Sequence, residues 1–194
     1  FPPGGPDGLS TVQITPAKLC WAALTGGRPT KMAVKSFGKY SKFEALFRWN
    51  MVLSAIDTQM IPNKAFNSPL FNALDPTEKG GINFYLGMIF LKICAQDVLS
   101  VPWLVHLHWM TQNHHLGLLT GKSSPDLLGY RPLTARWGVF EAKGRNGGFN
   151  NALLGKAKDQ ANRLISVDGN LCDLHVGGLL YRRADKRLSF AWED

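Results

Sequence analysis

The longest apolar stretch of the chain lies near its middle, at residues 82–99, and predicts a buried helix. Its apolar side chains occupy nearly every helical face, although Lys92 and Asp97 interrupt the run. The residues just before it are typical of a helix start, since Asp75 can cap the helix, a proline follows it, and Glu78 falls three positions after the cap. We interpret the stretch as a central helix on which a sheet packs, because the interrupting charges argue against a membrane span.

Apolar and alternating patterns predict strands in the second half of the chain. Residues 127–130 and 136–142 are typical of two strands joined by a loop, and the second is apolar enough to be a central strand. Between these strands and the C-terminus, residues 150–165 indicate one helix. Residues 176–182 and 187–192 then predict a further strand pair that extends the sheet.

The first 70 residues show a different pattern, which predicts helices and loops without strands. Residues 17–24 and 41–56 are typical of helices, and a Gly-Gly-Arg-Pro breaker separates them. Residues 63–72 indicate a loop. Residues 1–10 are rich in Gly and Pro and predict a flexible lead-in.

Composition supports one domain made of two parts. With 194 residues, 45% of them hydrophobic, the chain is long enough to bury a sizeable core. No repeat divides it, so we expect a basic N-terminal helical extension at residues 1–70 and a core at residues 71–194. The three cysteines are far apart and form no CxxC pair, which indicates neither a disulfide framework nor a cysteine zinc site. No secretory signal is visible, and we expect a reducing, cytoplasmic site of action.

The formal net charge of +8, with a pI of about 9.6, favours a polyanionic partner. Basic residues concentrate between residues 28 and 48, where they alternate with aromatic residues and only Glu44 is acidic. This mixture suits a surface that follows a phosphate backbone and stacks bases on aromatic rings. The alternative, which we favour for the aromatics, is an amphipathic helix in which Tyr40, Phe43 and Phe47 face the core while the lysines stay in solvent.

A group of acidic and basic residues in the core carries the candidate chemistry. Glu141 and Lys143 are two apart on a predicted strand, so their side chains leave the same face. Asp126 directly precedes the neighbouring strand and would bring a second carboxylate beside Glu141. Two carboxylates held close together repel, and a divalent cation with oxygen ligands, typified by Mg²⁺, removes that cost. Lys143 would stabilise charge that develops on a phosphate. The alternative is structural, with Asp126 as a turn residue and Glu141 and Lys143 as an exposed ion pair.

Four histidines within a short segment suggest a second kind of metal site: His106, His108, His114 and His115. Neutral imidazoles are common ligands of transition metals, but this set lacks a clear carboxylate or cysteine partner, which argues against such a site. We expect instead that His106 or His108 lines a cleft beside the carboxylates. The alternative is that the histidines are partly buried polar residues of a strand or turn.

The pair Pro125-Asp126 followed by Glu141-Ala142-Lys143 resembles the PD-(D/E)xK signature of the restriction-endonuclease-like nuclease superfamily. That superfamily places the Asp on one strand and Glu-x-Lys on the next, often with a preceding helical Glu and a following helix that carries Lys or Gln. This chain offers Glu78 before the motif, and Lys156 and Gln160 one turn apart after it. The resemblance implies an α/β fold with a mixed central β-sheet flanked by helices. It covers the core and leaves the N-terminal extension unexplained.

The resemblance also implies roles for the matching residues. Hydrolysis of phosphodiester bonds by metal-activated water would depend on five catalytic residues, Asp126, Glu141, Lys143, Glu78 and Gln160. The ligands of Mg²⁺, or of Mn²⁺, would be Asp126, Glu141, Glu78 and the carbonyl of Ala142. Glu78 keeps an alternative role, since the helix cap is a sufficient structural reason for it.

Basic residues of both parts are the predicted nucleic-acid contacts: Lys35, Lys39, Lys42, Arg145 and Lys156. DNA is the expected substrate and RNA the alternative. A bacterial toxin, delivered as a secreted effector, would need an acidic inhibitor protein to cover so basic a surface, whereas a restriction or repair enzyme fits the chemistry equally. Two other functions stay open. They are a non-catalytic nucleic-acid-binding module and a histidine-metal (HNH-like) nuclease built on His114 and His115.

Overall fold

The computed structural model describes residues 12–57, 64–121 and 123–194. The helices of these residues are α1 (Pro16–Thr25), α2 (Lys31–Lys35), α3 (Lys39–Ala55), α4 (Pro69–Ala73), α5 (Pro76–Asp97), α6 (Leu107–Met110) and α7 (Asn151–Ala161). The strands are β1 (Ile56–Asp57), β2 (Phe66–Asn67), β3 (Val105–His106), β4 (Leu116–Leu118), β5 (Leu127–Arg131), β6 (Arg136–Gly144), β7 (Leu164–Val167), β8 (Asn170–Leu171), β9 (Leu174–Arg182) and β10 (Leu188–Glu193). The lead-in predicted over residues 1–10 lies outside the described residues.

A five-stranded mixed sheet forms the centre of the fold, in the strand order β10-β9-β6-β5-β3. Strands β6 and β9 run parallel, and the other neighbouring pairs are antiparallel. The chain between β6 and β9 contains α7, β7 and β8, because a parallel pair requires a long crossover. The structure confirms the expected α/β class with a mixed central sheet. It also confirms the two predicted strand pairs, β5 with β6 and β9 with β10.

Helices cover both faces of this sheet. Helix α5 packs Met88 and Leu91 into one hydrophobic cluster with Phe140 of β6. On the other side, Ala161 of α7 shares a different cluster with Val139 of β6. Successive residues of a strand point to opposite faces, so the odd-numbered residues of β6 lie on the α7 face and the even-numbered ones on the α5 face.

Helix α5 begins as the sequence predicts, with a complete capping box. The Asp75 carboxylate accepts hydrogen bonds from the backbone N–H groups of Thr77 and Glu78, at 2.6 and 3.1 Å. The Glu78 carboxylate accepts one from the Asp75 N–H at 3.2 Å. The predicted central helix is confirmed, and its Lys92 is buried with the apolar residues. Within the described ranges, no helix is long and apolar enough to span a membrane.

The N-terminal helices pack against the core. Leu19 of α1 and Val52 of α3 share one hydrophobic cluster with residues of α5 and with Leu180 of β9. The helices predicted over residues 17–24 and 41–56 are confirmed as α1 and α3. The basic N-terminal part therefore buries apolar surface against the sheet-bearing part.

Two predicted elements differ in the structure. The loop predicted over residues 63–72 contains strand β2 and helix α4, apart from its first residue, which lies outside the described ranges. Ser68 caps α4 by accepting an N–H of the first turn at 2.9 Å, a start signal that the prediction missed. The helix predicted over residues 150–165 ends at Ala161. The chain then forms β7, which pairs with β4 and β8 in a separate sheet.

Candidate active site

Asp126 and Glu141 meet where strand β5 begins beside β6. The antiparallel register pairs Leu127 with Phe140, so the preceding residue, Asp126, lies opposite Glu141. The Asp126 N–H donates to Glu141 Oε2 at 2.9 Å, and the Ala142 N–H donates to Asp126 Oδ2 at 3.2 Å. Past the end of β5, the two carboxylates therefore accept hydrogen bonds from backbone N–H groups that have no partner in the ladder. These bonds fix each acid beside the other.

The carbonyl of Ala142 points toward the same edge of β6. In an extended strand the N–H and the C=O of one residue point to the same side of the strand. Since the Ala142 N–H reaches Asp126, the Ala142 carbonyl also faces the edge that Asp126 occupies. Oxygen atoms of Asp126, Glu141 and Ala142 therefore collect at one strand end.

Glu141 is the buried member of the pair, with only 1% of its side chain exposed. Burial, reinforced by the negative charge of Asp126, raises the pKa of Glu141 to about 7, although the ion pair with Lys143 acts in the opposite direction. The ionised form of Glu141 is therefore costly unless further positive charge joins it.

Lys143 links the acids to helix α7. Its ammonium group forms an ion pair with Glu141 and donates to Gln160 Oε1 at 3.1 Å. The Gln160 amide in turn donates to the carbonyl of Ser124 at 2.6 Å. The Lys143 side chain remains 28% exposed, so this end of the cluster opens to solvent. The structure thus brings Asp126, Glu141, Lys143 and Gln160 together on the α7 face of the sheet.

The structure places Glu78 away from this cluster. Helix α5 covers the opposite face of β6, where a Cβ on Gly87 would lie 3.0 Å from the Lys143 carbonyl oxygen. One turn earlier, the Asn83 backbone already contacts Gly144, the last residue of β6. Glu78 lies more than two turns before Gly87, about 13 Å along the helix axis and beyond the end of the strand. Its carboxylate is held in the capping box, so in this structure the predicted metal ligand is a helix cap.

Of His106 and His108, one of which is expected to line the cleft, His106 lies near Asp126, although its side chain is on the α5 face of the sheet and the carboxylates are on the α7 face. In the register of β3 with β5 it pairs with Leu127, the neighbour of Asp126. Burial lowers the pKa of His106, and so does the positive charge of Arg48, whereas Asp126 opposes them. The ring packs against Gly27, whose φ is +78° and where a Cβ would lie 2.2 Å from the imidazole. The glycine therefore makes room for the His106 ring.

The other histidines have different surroundings. His114 Nδ1 lies 2.6 Å from Asp168 Oδ2, and the His115 N–H donates to Asp168 Oδ1 at 2.8 Å, so both are tied to the turn between β7 and β8. His108 is exposed on the short helix α6. In the part of the chain that the structure describes, no group of three or more His, Cys, Asp or Glu side chains is arranged to hold a metal ion.

Sequence reasoning missed an arginine pair on the N-terminal side of the site. Glu44 forms ion pairs with both Arg28 and Arg48, the second at 2.9 Å. Arg48 also donates to the carbonyls of Ala23 and Gly26 at 3.0 and 3.1 Å, which anchors α3 to the end of α1. Glu44 and Arg48 are four residues apart on one helix, a spacing that favours ion pairs and that was visible in the sequence.

Three aromatic side chains of α3 face solvent, so the interpretation that Tyr40, Phe43 and Phe47 face the core is wrong. Tyr40, Phe43 and Phe47 are 65%, 63% and 58% exposed, because α3 turns its other side, including Val52, toward the N-terminal hydrophobic cluster. Three exposed lysines accompany them, the predicted nucleic-acid contacts Lys35, Lys39 and Lys42. These three aromatics and three lysines are called the aromatic–basic face below.

Two further predicted contacts belong to the core. Arg145 follows β6 directly and is half-buried, with its N–H bonded to the Leu180 carbonyl at 3.0 Å. Lys156 is exposed on α7, one turn before Gln160.

The carboxylate cluster as a whole offers two carboxylates, a carbonyl and a partly exposed ammonium group, which suit a hard divalent cation and an anionic substrate.

Comparisons of the chain with protein families, with curated proteins and with solved structures found no match.

Proposed function

We propose that the protein is a nuclease that hydrolyses phosphodiester bonds of DNA with Mg²⁺ or Mn²⁺. The observation that carries this proposal is the reciprocal hydrogen bonding of Asp126 and Glu141, extended by Lys143 and Gln160. These residue types stand at the positions of the PD-(D/E)xK pattern. The element order α5, β5, β6, α7, β9, with β5 antiparallel and β9 parallel to β6, supports a restriction-endonuclease-like core.

The donor atoms of the cluster fit a hard divalent cation. Asp126, Glu141 and the Ala142 carbonyl offer only oxygen, which favours Mg²⁺ or Mn²⁺ over softer metals. Burial and the charge of Asp126 raise the pKa of Glu141 in spite of its ion pair with Lys143, and the charge of a divalent cation would offset that cost. When bound, the cation would provide Lewis-acid activation of water and of the scissile phosphate.

The remaining side chains position and stabilise the substrate. The Lys143 ammonium group reaches solvent from beside Glu141, where it can interact with a phosphate as negative charge develops on the phosphoryl oxygens. Gln160 holds that ammonium group and ties it to the loop before β5 through Ser124, so the lysine has a fixed direction. Glu78 has no part in this arrangement, because its carboxylate caps α5.

The aromatic–basic face supports a nucleic acid as the substrate. Phosphate groups attract its lysines, and unpaired bases can stack on Tyr40, Phe43 and Phe47, which present exposed rings at helical spacing. Such a surface also serves a protein that binds nucleic acid without cutting it. A non-catalytic binding module is therefore the second candidate function.

Cleavage of supercoiled plasmid DNA tests the proposal. We expect the wild-type protein to nick the plasmid in the presence of Mg²⁺ or Mn²⁺. Nicking should stop when EDTA is added. Asp126→Asn and Lys143→Ala should each lower the rate by about 100-fold or more. Asp159→Asn and Lys64→Ala change the same residue types at exposed positions outside the cluster and serve as matched controls.

The possible outcomes separate the three candidate functions. Full activity of both Asp126→Asn and Lys143→Ala would refute the proposed site. Binding of DNA without cleavage in either metal would favour the binding module. Cleavage that survives these changes but is abolished by His115→Ala would favour a histidine-metal nuclease. A parallel assay on structured RNA decides between the two kinds of nucleic acid.

A further inference from the structure

A basic cavity lies beyond the C-terminal ends of β6 and β9. Its volume is about 870 Å³, and its lining includes residues 146–148, Asn67, Asn72, Arg182, Arg183 and Lys186. Arg182 lies three residues beyond Leu179, the β9 partner of Lys143 in the sheet, which is about 10 Å along the strand. The cavity is therefore separate from the carboxylate cluster but belongs to the same pair of parallel strands.

Arg182 is a buried cation whose partners are all neutral. Only 5% of the residue is exposed. Its guanidinium group donates to Asn67 Oδ1 through Nε and Nη2, at 3.3 and 3.0 Å, and to the Arg145 carbonyl through Nη1. It also lies over the ring of Phe71, 5.1 Å from the centroid. Among the described residues no carboxylate pairs with it, although a buried charge normally has an opposite charge beside it.

The unused hydrogen-bonding groups around this charge are donors. The three hydrogen bonds of Arg182 use three of the five guanidinium N–H groups, which leaves two. Because Asn67 accepts from Arg182 through its carbonyl oxygen, the Asn67 amide NH₂ group remains available to donate. Arg183 and Lys186 add two exposed cations at the rim, and the nearest acid of this turn, Asp185, is already paired with Arg187.

We propose that this cavity binds a phosphate group, and that the phosphate is the terminal one of a nucleic-acid strand. The first part follows from an uncompensated arginine, two rim cations and amide donors around one cavity, since guanidinium groups match phosphate geometry. The volume is large enough to admit the terminal nucleotide together with its phosphate. The second part rests on the proposed nuclease function, because that function makes a nucleic-acid strand the source of the phosphate.

Binding measurements without divalent metal test this proposal independently of catalysis. Oligothymidylates of about ten nucleotides would carry a 5′-phosphate, a 3′-phosphate or only hydroxyl ends, and their affinities for the full chain would be compared by fluorescence anisotropy. We expect one phosphorylated form to bind about tenfold more tightly than the hydroxyl form. Isothermal titration calorimetry with inorganic phosphate would measure the phosphate site alone.

Two variants assign the preference to the cavity. Arg182→Gln removes the buried charge, but it also removes hydrogen bonds that hold β2 and the loop after β6. The exposed pair Arg183→Ala with Lys186→Ala keeps those contacts, and it should reduce the preference for the phosphorylated end to about twofold or less. The matched control is Lys35→Ala with Lys39→Ala on the aromatic–basic face. It should weaken the binding of all three oligonucleotides equally.

Each result has a defined meaning. Equal affinity for the three oligonucleotides, together with no heat from inorganic phosphate, would overturn the proposal. Binding of inorganic phosphate without any end preference would keep the phosphate site and overturn its assignment to a strand end. If the protein prefers a phosphorylated end but does not nick plasmid, the cavity is still a site for a strand-end phosphate. Only the proposed nuclease function would then be refuted.

Discussion

The backbone amide of Asp126 donates a hydrogen bond of 2.9 Å to the carboxylate of Glu141. The carboxylate of Asp126 accepts in return from the amide that follows Glu141 in the chain, at 3.2 Å. Each acid thus completes the backbone hydrogen bonding of the other strand where the β5–β6 ladder stops. The same bonds that build the strand end therefore hold two carboxylates side by side, which ties the chemistry of the site to the stability of the fold.

Glu141 makes the stability of the protein depend on pH. Its pKa is about 7 in the folded chain and 4.5 ordinarily, so between these values the folded state holds a proton that the unfolded state releases. The stabilisation is complete below pH 4.5 and is lost as the pH rises through 7. The Gln side chain in Glu141→Gln is neutral at every pH. As the pH rises from 5 to 8, the free energy of unfolding of this variant should therefore rise by about 1–3 kcal/mol relative to that of the wild type.

Urea denaturation in EDTA at several pH values measures this difference. Glu193→Gln, the same change on strand β10, is the matched control and should follow the wild-type profile. A constant difference between Glu141→Gln and wild type from pH 5 to pH 8 would contradict the expected titration.

Glu78→Gln separates the two roles predicted for Glu78. Glutamine at this position can keep the capping box but replaces the carboxylate by a neutral amide, a poorer ligand for a cation. Because the structure places Glu78 in the cap and away from Asp126, we expect plasmid cleavage within about twofold of wild type and a free energy of unfolding within about 0.5 kcal/mol. The measurement is the nicking assay beside thermal unfolding. A loss as large as that of Asp126→Asn would place Glu78 in the catalytic site.

The parts of the fold that could be predicted are those with local signals. The capping box of Asp75 and Glu78 and the alternation around Glu141 each lie within a few residues, and the structure has both elements. The sheet of β4, β7 and β8 has no such signal. Strand β4 is three residues long, contains a glycine and pairs with residues that lie far along the chain, such as Val167. The helix predicted through residue 165 therefore includes the first residues of β7.

The candidate site divides in the same way. Strand periodicity and the order of the strands are enough to predict that Asp126, Glu141 and Lys143 converge. No sequence pattern shows how α5 crosses the sheet, and that crossing decides where Glu78 lies. The prediction that the aromatic residues of α3 face the core was wrong for a related reason, since the helix carries apolar residues on two sides. Only its contacts with other helices decide which side, that of Val52 or that of Phe43, is buried.

Tyr40→Ser combined with Phe43→Ser tests the aromatic–basic face. Each exposed ring that stacks on a base contributes about 1–3 kcal/mol, so the double variant should bind single-stranded DNA at least about tenfold more weakly. Its stability should stay close to wild type, because both rings are in solvent in the folded protein. Fluorescence anisotropy in EDTA measures the affinity. Leu133→Ser removes a side chain that is 86% exposed in the β5–β6 turn and should leave binding unchanged. Equal affinities of the double variant and wild type would exclude stacking on this face.

Lys92→Met should stabilise the protein at neutral pH. Lys92 is 1% exposed and donates to the Pro102 carbonyl, and burial lowers its pKa from 10.5 to about 8, against the effect of Asp97. The charged form is therefore costly at pH 7, and methionine fills a similar volume without charge. After the loss of one hydrogen bond, we expect a gain of about 1–2 kcal/mol in the free energy of unfolding at pH 7.

The pH dependence identifies the cause of that gain. Between pH 8 and 10.5 the unfolded state binds a proton that the folded state has lost, so wild-type stability rises with pH and the advantage of Lys92→Met shrinks. Lys79→Met, on the same helix and also bonded to a backbone carbonyl, is half-buried and should change stability by less than about 0.5 kcal/mol. A destabilised Lys92→Met protein at every pH would show that the hydrogen bond to Pro102 outweighs the buried charge.

Two glycine-to-alanine changes should shift stability in opposite directions. At Gly27 the backbone is left-handed, with φ of +78°, and a methyl group would collide with the His106 ring, so Gly27→Ala should cost about 2 kcal/mol or more. Gly155 lies within helix α7 with open space around its Cα, so Gly155→Ala should add about 0.5–1 kcal/mol. Because His106 lies near Asp126, Gly27→Ala should also slow plasmid nicking, whereas Gly155→Ala should not. Urea denaturation and the nicking assay measure both effects, and equal behaviour of the two variants would mean that His106 does not depend on the space that Gly27 leaves.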